Sequence, residues 1–175
     1  MSIIHEGNGV VLALRGIFDN QSLVKWETAL AKQICFPNKR PIILHGPEVP
    51  EPRDVAYFAD HRIAALRYGP LRREAQSFPP ILLELRAILQ QLPICTWLGR
   101  SPNKENLNAV LVNYYKNGKD SMGLHRDDDV ALGEDPFIVS MSFDATCMMI
   151  FQHTDGQRVR VNLTSGVLES NVQRL

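Results

Sequence analysis

His125 and Asp127 are the residues whose types and spacing point most directly to chemistry. They stand two positions apart, so on an extended segment both side chains point to the same side, as an imidazole and a carboxylate must to bind one metal ion. The spacing alone is a weak signal, because His-x-Asp is common by chance. A polar turn after Gly123 followed by a solvated acidic run is the structural alternative, and on spacing alone it is favoured.

Two neutral polar side chains precede this pair on a predicted strand. Residues 107–115 alternate in character, so Asn113 and Tyr115 share one face of that strand. A glycine-containing turn then leads to His125. Hydrogen-bonding groups of this kind beside a metal site suit a polar organic co-substrate better than a hydrolytic water alone.

With these residues the chain resembles the AlkB family of Fe(II)- and 2-oxoglutarate-dependent dioxygenases. The family motif is Asn-x-Tyr-x-x-Gly, followed several residues later by His-x-Asp and further acidic residues. The residues in register with it are Asn113, Tyr115, Gly118, His125, Asp127 and Asp128. Residues 120–123, Asp-Ser-Met-Gly, are typical of the branch that demethylates nucleic-acid bases. The resemblance extends from about Phe18 to Leu168.

The resemblance implies cofactors and a role for each matched residue. His125 and Asp127 would be two of the three protein ligands of Fe(II), and Asn113 and Tyr115 would hydrogen-bond 2-oxoglutarate. The implied reaction hydroxylates an N-methyl group on adenine or cytosine with O₂, and formaldehyde, succinate and CO₂ are released. The implied function is direct-reversal repair of 1-methyladenine and 3-methylcytosine damage in DNA or RNA.

Three further residues would contact the nucleic acid. Asp129 stands where the family keeps a carboxylate facing the base, and its charge would favour a protonated, methylated base. Arg53 and Tyr68 would belong to a nucleotide-recognition lid, with Tyr68 stacking on or packing beside a flipped base. Each has a structural alternative that stays open: a solvated turn residue for Asp129, a surface cation for Arg53 and a core aromatic for Tyr68.

The family pattern also includes a second histidine on the iron and arginines that pair with 2-oxoglutarate, one strand beyond Leu168. Residues 169–175 are polar where an apolar strand is expected, and the sequence then ends. His153 lies at the tip of a predicted hairpin and is not expected to replace the missing ligand. We therefore expect a C-terminally truncated chain, which is either a shortened product, such as a splice form or a frameshifted chain, or a fragment of a longer enzyme. In the first case we expect severely reduced or absent turnover.

Two other functions stay open. The chain would then be a non-catalytic domain that binds or regulates nucleic acid, or an unrelated metal site, such as a hydrolase, on a jelly roll. Salt-sensitive oligonucleotide binding without metal uptake would favour the first. Zinc in the protein, with no response to 2-oxoglutarate, would favour the second.

Two helices followed by strands must position these residues. Helices are predicted over about residues 21–34 and between Pro80 and Pro93, where apolar residues recur at helical spacing. The predicted strands are residues 10–14, 41–45, 63–68, 107–115 and 137–143 and the hairpin 148–152 with 158–163. Residues 46–53 carry three prolines and are predicted to form a loop or lid without regular structure.

This order predicts an α+β fold, a double-stranded β-helix (jelly-roll) sandwich with two supporting N-terminal helices and its last strands missing. We treat residues 1–175 as one AlkB-like domain. Its helices and lid occupy about residues 1–106, and an incomplete jelly-roll core occupies about residues 107–175.

Composition limits the partners and the compartment. The 19 Lys and Arg residues balance 19 Asp and Glu residues, so nucleic-acid binding needs a local patch. We place that patch on the lid arginines Arg53, Arg67, Arg72 and Arg73. Three cysteines without a CxxC pair, no signal peptide and no membrane-length apolar run predict an intracellular, reducing compartment, nucleus or cytoplasm. We expect a monomer without membrane contact.

Overall fold

The computed structural model describes residues 2–5, 9–37, 41–43, 48–68, 71–93, 107–125, 137–152 and 155–173. In chain order its elements are β1 (Ser2–His5), β2 (Gly9–Leu14), α1 (Asn20–Gln33), β3 (Pro41–Ile43), β4 (Glu48–Pro50), β5 (Asp54–Ala59), β6 (Ala65–Tyr68), β7 (Leu71–Glu74), α2 (Pro80–Gln91), β8 (Ala109–Tyr114), β9 (Phe137–Met141), β10 (Cys147–Gln152), β11 (Arg158–Leu163) and β12 (Leu168–Gln173). Two helices with several antiparallel strand pairs confirm the predicted α+β class.

The chain divides into two compact units. The first contains β1, β2, most of α1 and β9 to β12, and the second contains β3 to β8 and α2. The assignment of residues 1–175 to one domain stays a prediction. Within the part of the chain that the structure describes, no helix is long and apolar enough to span a bilayer.

The first unit is built on an antiparallel sheet with the strand order β1-β2-β12-β9. Leu168 at the start of β12 pairs with Leu14 on one side and with Met141 on the other, so β12 is an inner strand. Residues 169–173, which are mostly polar where an apolar strand was expected, belong to this strand. An inner strand is held by backbone hydrogen bonds along both edges, and those bonds do not require apolar side chains.

The β10–β11 hairpin was predicted, and the structure confirms it. Its register runs from Cys147 opposite Leu163 to Gln152 opposite Arg158. The predicted inner face of β11 is also confirmed, because Val161 and Leu163 are buried. They form a small core with Ala13 and Val167, onto which Val159 and Phe151 pack.

Helix α1 begins at a capping aspartate, Asp19. One carboxylate oxygen of Asp19 accepts a hydrogen bond from the Ser22 backbone N–H at 2.8 Å, and the other accepts one from the Ser22 hydroxyl at 2.8 Å. These bonds lower the pKa of Asp19 below its ordinary value. The helix buries Leu23 and Trp26, and Phe18 meets the Trp26 ring edge-on at a centroid distance of 5.1 Å.

The second unit contains the most buried strand of the described chain. All six residues of β5 are buried, and β5 pairs antiparallel with β8 from Asp54 opposite Tyr114 to Ala59 opposite Ala109. Helix α2 buries Ile81, Leu82 and Leu85, whereas Leu89 and Leu92, at the helical spacing expected from the sequence, are half-buried. At its start, the Ile81 backbone N–H donates to the Gln33 side-chain oxygen at 3.1 Å.

The proline-rich segment was predicted wrongly in part. Residues Glu48–Pro50 form the short strand β4, which pairs with β3, and β5 follows almost at once. A two-stranded ribbon tolerates prolines because an outward-facing backbone nitrogen needs no partner within the sheet.

The second strand of the β6–β7 hairpin was also not predicted, although β6 was.

Candidate functional site

The strand β8 presents Asn113 and Tyr115 on one exposed face, as predicted. Asn113 is exposed, and Tyr115, one residue beyond the strand, is 41% exposed. Leu111 lies on the same face and is 36% exposed, whereas Val110 and Val112 on the opposite face are half-buried. Both predicted co-substrate residues are therefore accessible from solvent on the same side of β8.

Arg53 and Tyr115 are brought together by the pairing of β5 with β8. Asp54 pairs with Tyr114, which places Arg53 opposite Tyr115 one step beyond the ladder. The Arg53 Nη1 group donates a hydrogen bond to the Tyr115 hydroxyl oxygen at 2.8 Å. The guanidinium carbon lies 5.8 Å from the centre of the Tyr115 ring, within the range of a cation–π contact. A residue predicted to belong to the nucleotide-recognition lid thus contacts a residue predicted to bind the co-substrate.

An ion pair restrains the next residue along the chain, Lys116. The Lys116 ammonium lies 2.9 Å from the Asp54 carboxylate, and this hydrogen bond, with the negative charge, raises the pKa of Lys116 above its ordinary value of 10.5. The Lys116 backbone N–H donates to the Asp120 carboxylate at 2.7 Å. The Lys119 backbone N–H donates to the Asn117 side-chain oxygen at 2.9 Å, which closes the turn after β8.

His125 is exposed, and its ring is oriented by the backbone two residues earlier. Its Nδ1 lies 2.8 Å from the Gly123 carbonyl oxygen. Because a carbonyl oxygen only accepts, Nδ1 must carry the proton, and in the neutral ring the lone pair then lies on Nε2. Histidines that bind metals are commonly held in this way, with one ring nitrogen donating to a carbonyl and the other facing the metal. The His125 ring therefore fits the role that the sequence predicted.

The rest of the predicted metal site lies outside the described residues. Neither Asp127 nor Asp129 is described, so the structure does not place the second predicted ligand or the predicted base-facing carboxylate. Among the residues that are described, no three His, Cys, Asp or Glu side chains converge as a metal site. Tyr68 ends β6, where its backbone pairs with Leu71, and its side chain is outside the described set.

The basic patch expected on the lid needs correction at Arg73. Its guanidinium forms an ion pair with Glu51, and the two side chains are only 14% and 9% exposed. Arg72 pairs with Glu74 at 2.9 Å, but both side chains are more than half exposed, so that pair contributes little. Arg53 is engaged by Tyr115, as described above. Arg73 therefore has a structural role, and its charge is matched within the protein.

Three residues of this region were not identified from the sequence. Glu51, Asp54 and Lys116 carry the ion pairs around the predicted site, yet each looks like an ordinary surface charge in the sequence. A carboxylate at the first position of an otherwise apolar strand, as Asp54 is, was the one available signal. The partners themselves depend on strand register, which the sequence did not reveal.

A separate cleft of about 360 Å³ lies in the same unit, at the end of β5. Its lining includes Asp60, His61, Gln76 and Phe78. Arg86 contacts two of these lining residues: it pairs with Asp60 at 2.8 Å, and its guanidinium carbon lies 4.6 Å from the Phe78 ring centre. None of the site residues predicted from the sequence is among the described residues that line it.

Comparison with known proteins agrees with the motif. The family model described as 2OG-Fe(II) oxygenase superfamily matches residues 10–170. The chain belongs to this superfamily. The match includes the described site residues Arg53, Asn113, Tyr115 and His125, together with Asp127. The superfamily implies Fe(II) and 2-oxoglutarate as cofactor and co-substrate.

Individual curated proteins are also similar to this chain, each over part of its length. The Arabidopsis thaliana protein named DNA oxidative demethylase ALKBH2 is 34% identical over 112 residues, which are 62% of this chain and 32% of that protein. The Mus musculus protein of the same name is 42% identical over 64 residues, 37% of this chain and 27% of that protein. The Bos taurus alpha-ketoglutarate-dependent dioxygenase alkB homolog 3 is 37% identical over 73 residues, 36% of this chain and 26% of that protein.

These matches confirm the resemblance to the AlkB family. The chain spans about a third of the length of the Arabidopsis thaliana relative and less of the other two. The described residues fit the cofactors that the superfamily implies. His125 offers an exposed imidazole with the correct tautomer, and the exposed Asn113 and Tyr115 can both donate hydrogen bonds to a carboxylate.

Proposed function

We propose that the protein removes methyl groups oxidatively from N-alkylated bases of the 1-methyladenine and 3-methylcytosine type in DNA or RNA. The observation that carries this proposal is the orientation of His125, whose Nδ1–H donates to the Gly123 carbonyl and leaves the lone pair on Nε2. The superfamily membership and the names of the AlkB relatives support the substrate class. The fold we propose is the double-stranded β-helix that this superfamily implies.

Each chain residue has a defined task in this proposal. His125 and Asp127 hold Fe(II), and Asn113 and Tyr115 bind 2-oxoglutarate through hydrogen bonds to its oxygens. When bound, Fe(II) and 2-oxoglutarate supply the oxidising power that hydroxylates the methyl group with O₂. The resulting hydroxymethyl base then releases formaldehyde. The protein contributes orientation and the exclusion of water from the reacting group.

The base is bound by charge and stacking in this proposal. Asp129 faces the methylated base, and its negative charge favours the protonated, cationic form over the unmethylated base. Tyr68, at the end of β6, stacks on the base, which must leave the duplex to reach the site. Stacking of this kind tolerates either base, which agrees with a substrate range that includes adenine and cytosine lesions.

The test incubates the purified chain with Fe(II), 2-oxoglutarate and an oligonucleotide containing one 1-methyladenine. We expect formaldehyde and restored adenine in equal amounts, dependent on 2-oxoglutarate and in the reduced yield that the sequence predicts, with no product from His125→Ala. The matched control is His61→Ala, which removes an exposed histidine of the same unit and should leave the yield unchanged. Salt-sensitive oligonucleotide binding without metal uptake or product would overturn the proposal in favour of a non-catalytic binding domain. Zinc uptake without any effect of 2-oxoglutarate would overturn it in favour of a hydrolase.

A further inference from the structure

The hydrogen bond between Arg53 and Tyr115 determines how the tyrosine hydroxyl can be used. A guanidinium has only donors, so in the contact at 2.8 Å the Tyr115 oxygen must be the acceptor. The proton of the Tyr115 hydroxyl must then point to a different acceptor. The pair therefore holds the phenol as a hydrogen-bond donor, with its own proton directed away from Arg53.

Arg53 directly precedes β5, the strand whose six residues are all buried, and is only partly exposed. Its Nε atom is buried and has no hydrogen-bond partner within the described ranges. The neighbouring pair of Asp54 and Lys116 fixes the same end of the two strands. Arg53 is thus placed to orient Tyr115.

We propose that Arg53 is a positioning residue for the co-substrate: it fixes the Tyr115 hydroxyl so that this group donates a hydrogen bond to a carboxylate oxygen of 2-oxoglutarate. The inference rests on the proposed function, in which Tyr115 binds 2-oxoglutarate. It gives Arg53 a task beyond the lid role that the sequence predicted, because one of the guanidinium donors is used by Tyr115.

The positive charge of Arg53 adds to the effect without a direct contact to the ligand. A hydroxyl that accepts a hydrogen bond from a cation is polarised, and it becomes a better donor to an anion. A neutral or cationic base gains less from such a donor than a carboxylate does. The arrangement therefore favours an anionic partner for Tyr115.

The test measures binding of 2-oxoglutarate to the whole chain by calorimetry, with Mn(II) in place of Fe(II) so that no turnover occurs. We expect Arg53→Gln to raise the Kd for 2-oxoglutarate by about tenfold, equal to about 1.4 kcal/mol. Arg53→Lys, which keeps a donor and the charge, should recover part of this loss. Tyr115→Phe should also weaken binding, and adding Arg53→Gln to it should cost little more, because Arg53 acts through the hydroxyl.

Two controls separate this role from a general loss of structure or a base contact. Arg62→Gln removes an exposed arginine of the same unit and should leave the Kd unchanged. The affinity of Arg53→Gln for a 1-methyladenine oligonucleotide, measured without 2-oxoglutarate, should equal that of the wild type. Circular dichroism of each variant verifies that it is folded.

The outcomes that overturn the inference are distinct from failure of the proposed function. Equal losses from Arg53→Gln with and without Tyr115→Phe would show that Arg53 acts independently of the hydroxyl. Weaker oligonucleotide binding with unchanged 2-oxoglutarate binding would show a base contact instead. In both cases the proposed demethylase activity would stand. A wild-type chain that does not bind 2-oxoglutarate would overturn the inference together with the co-substrate assignment.

Discussion

The Lys116 ammonium lies 2.9 Å from the Asp54 carboxylate, on the same strand pair that joins Arg53 to Tyr115. The Asp54 side chain is only 10% exposed, whereas that of Lys116 is 55% exposed. The chain that leaves β8 is therefore held at two consecutive residues before it turns towards His125. This double attachment links the buried strand β5 to the exposed residues of the candidate site.

Replacing Lys116 with Gln should lower the thermal midpoint by a few degrees at neutral pH, because the ion pair with Asp54 is lost. The raised pKa of Lys116 sets the pH dependence. A group whose pKa is raised in the folded state stabilises the fold fully below its unfolded pKa. Its contribution is lost as the pH rises through the folded pKa, which here lies above 10.5.

Thermal unfolding followed at pH 7 and above pH 10.5 checks this prediction. The difference between the wild type and Lys116→Gln should be present at pH 7 and should shrink in the alkaline range. Lys119→Gln, in the same turn but without an ion pair to Asp54, should show no such trend. A deficit of Lys116→Gln that is the same at both pH values contradicts the assignment.

Gly166 should tolerate no side chain. Its φ is +77°, and a Cβ atom there would lie 2.7 Å from Cδ1 of the buried Leu23. Gly156 offers a matched control, because its φ is +90° but no atom lies within 4 Å of the Cβ position. We expect Gly156→Ala to cost about 1–2 kcal/mol from backbone strain alone. Gly166→Ala should cost about 1–3 kcal/mol more, because the overlap forces the buried Leu23 side chain to move within its packed surroundings.

Urea denaturation of the two glycine variants measures the difference directly. A double variant, Leu23→Ala with Gly166→Ala, separates the overlap with Leu23 from the backbone strain. That variant removes the overlapping atoms, so it should be less destabilised than the sum of its two single substitutions. Equal stability of Gly166→Ala and Gly156→Ala would show that Leu23 moves aside at no cost.

Arg73 should matter for folding more than for nucleic-acid binding. Replacing Arg73 with Met leaves the mostly buried Glu51 carboxylate without its guanidinium, and we expect a loss of about 3–5 kcal/mol. The double variant Arg73→Met with Glu51→Leu should recover most of this loss, because no buried charge remains. Stability is measured by urea denaturation and oligonucleotide affinity by fluorescence anisotropy.

The contrast with Arg67 tests the revised view of the basic patch. Arg67 is exposed, and Arg67→Gln should leave stability unchanged and reduce the salt dependence of oligonucleotide binding. If the double variant at Arg73 and Glu51 is stable but binds oligonucleotide far more weakly than the wild type, Arg73 contacts phosphate and the structural assignment is wrong.

The sequence predicted the elements that depend on residues close together in the chain. The helix α1 follows its Asp19 cap and apolar spacing, and the β10–β11 hairpin follows its alternation and its glycine turn. The strand β5 gave no such pattern, because a strand buried along its whole length does not alternate. The strand β12 was hidden by its polar sequence, since its place between β2 and β9 depends on pairing with distant residues.

In the candidate site, too, the features that depend on a single strand were predicted, and the contacts between distant strands were not. The exposed face of Asn113 and Tyr115 follows from the period of one strand, and His125 was found from its spacing to Asp127. The contact of Arg53 with Tyr115 joins residues 62 positions apart, so it depends on the register between β5 and β8. Sequence patterns within one element carry no information about that register.

Asp144 is the described non-glycine residue with a positive φ, at 65°, in the connection between β9 and β10. Left-handed backbone costs a residue with a Cβ atom about 1–2 kcal/mol, although aspartate is among the better tolerated types. Asp144→Gly should therefore be neutral or stabilising, by up to about 1 kcal/mol, because the lost strain exceeds the added chain entropy. Ala145→Gly, at the next position, should instead destabilise by about 0.5–1 kcal/mol. Urea denaturation of both variants decides the matter, since equal losses would mean that the Asp144 side chain stabilises this turn by more than its backbone strain costs.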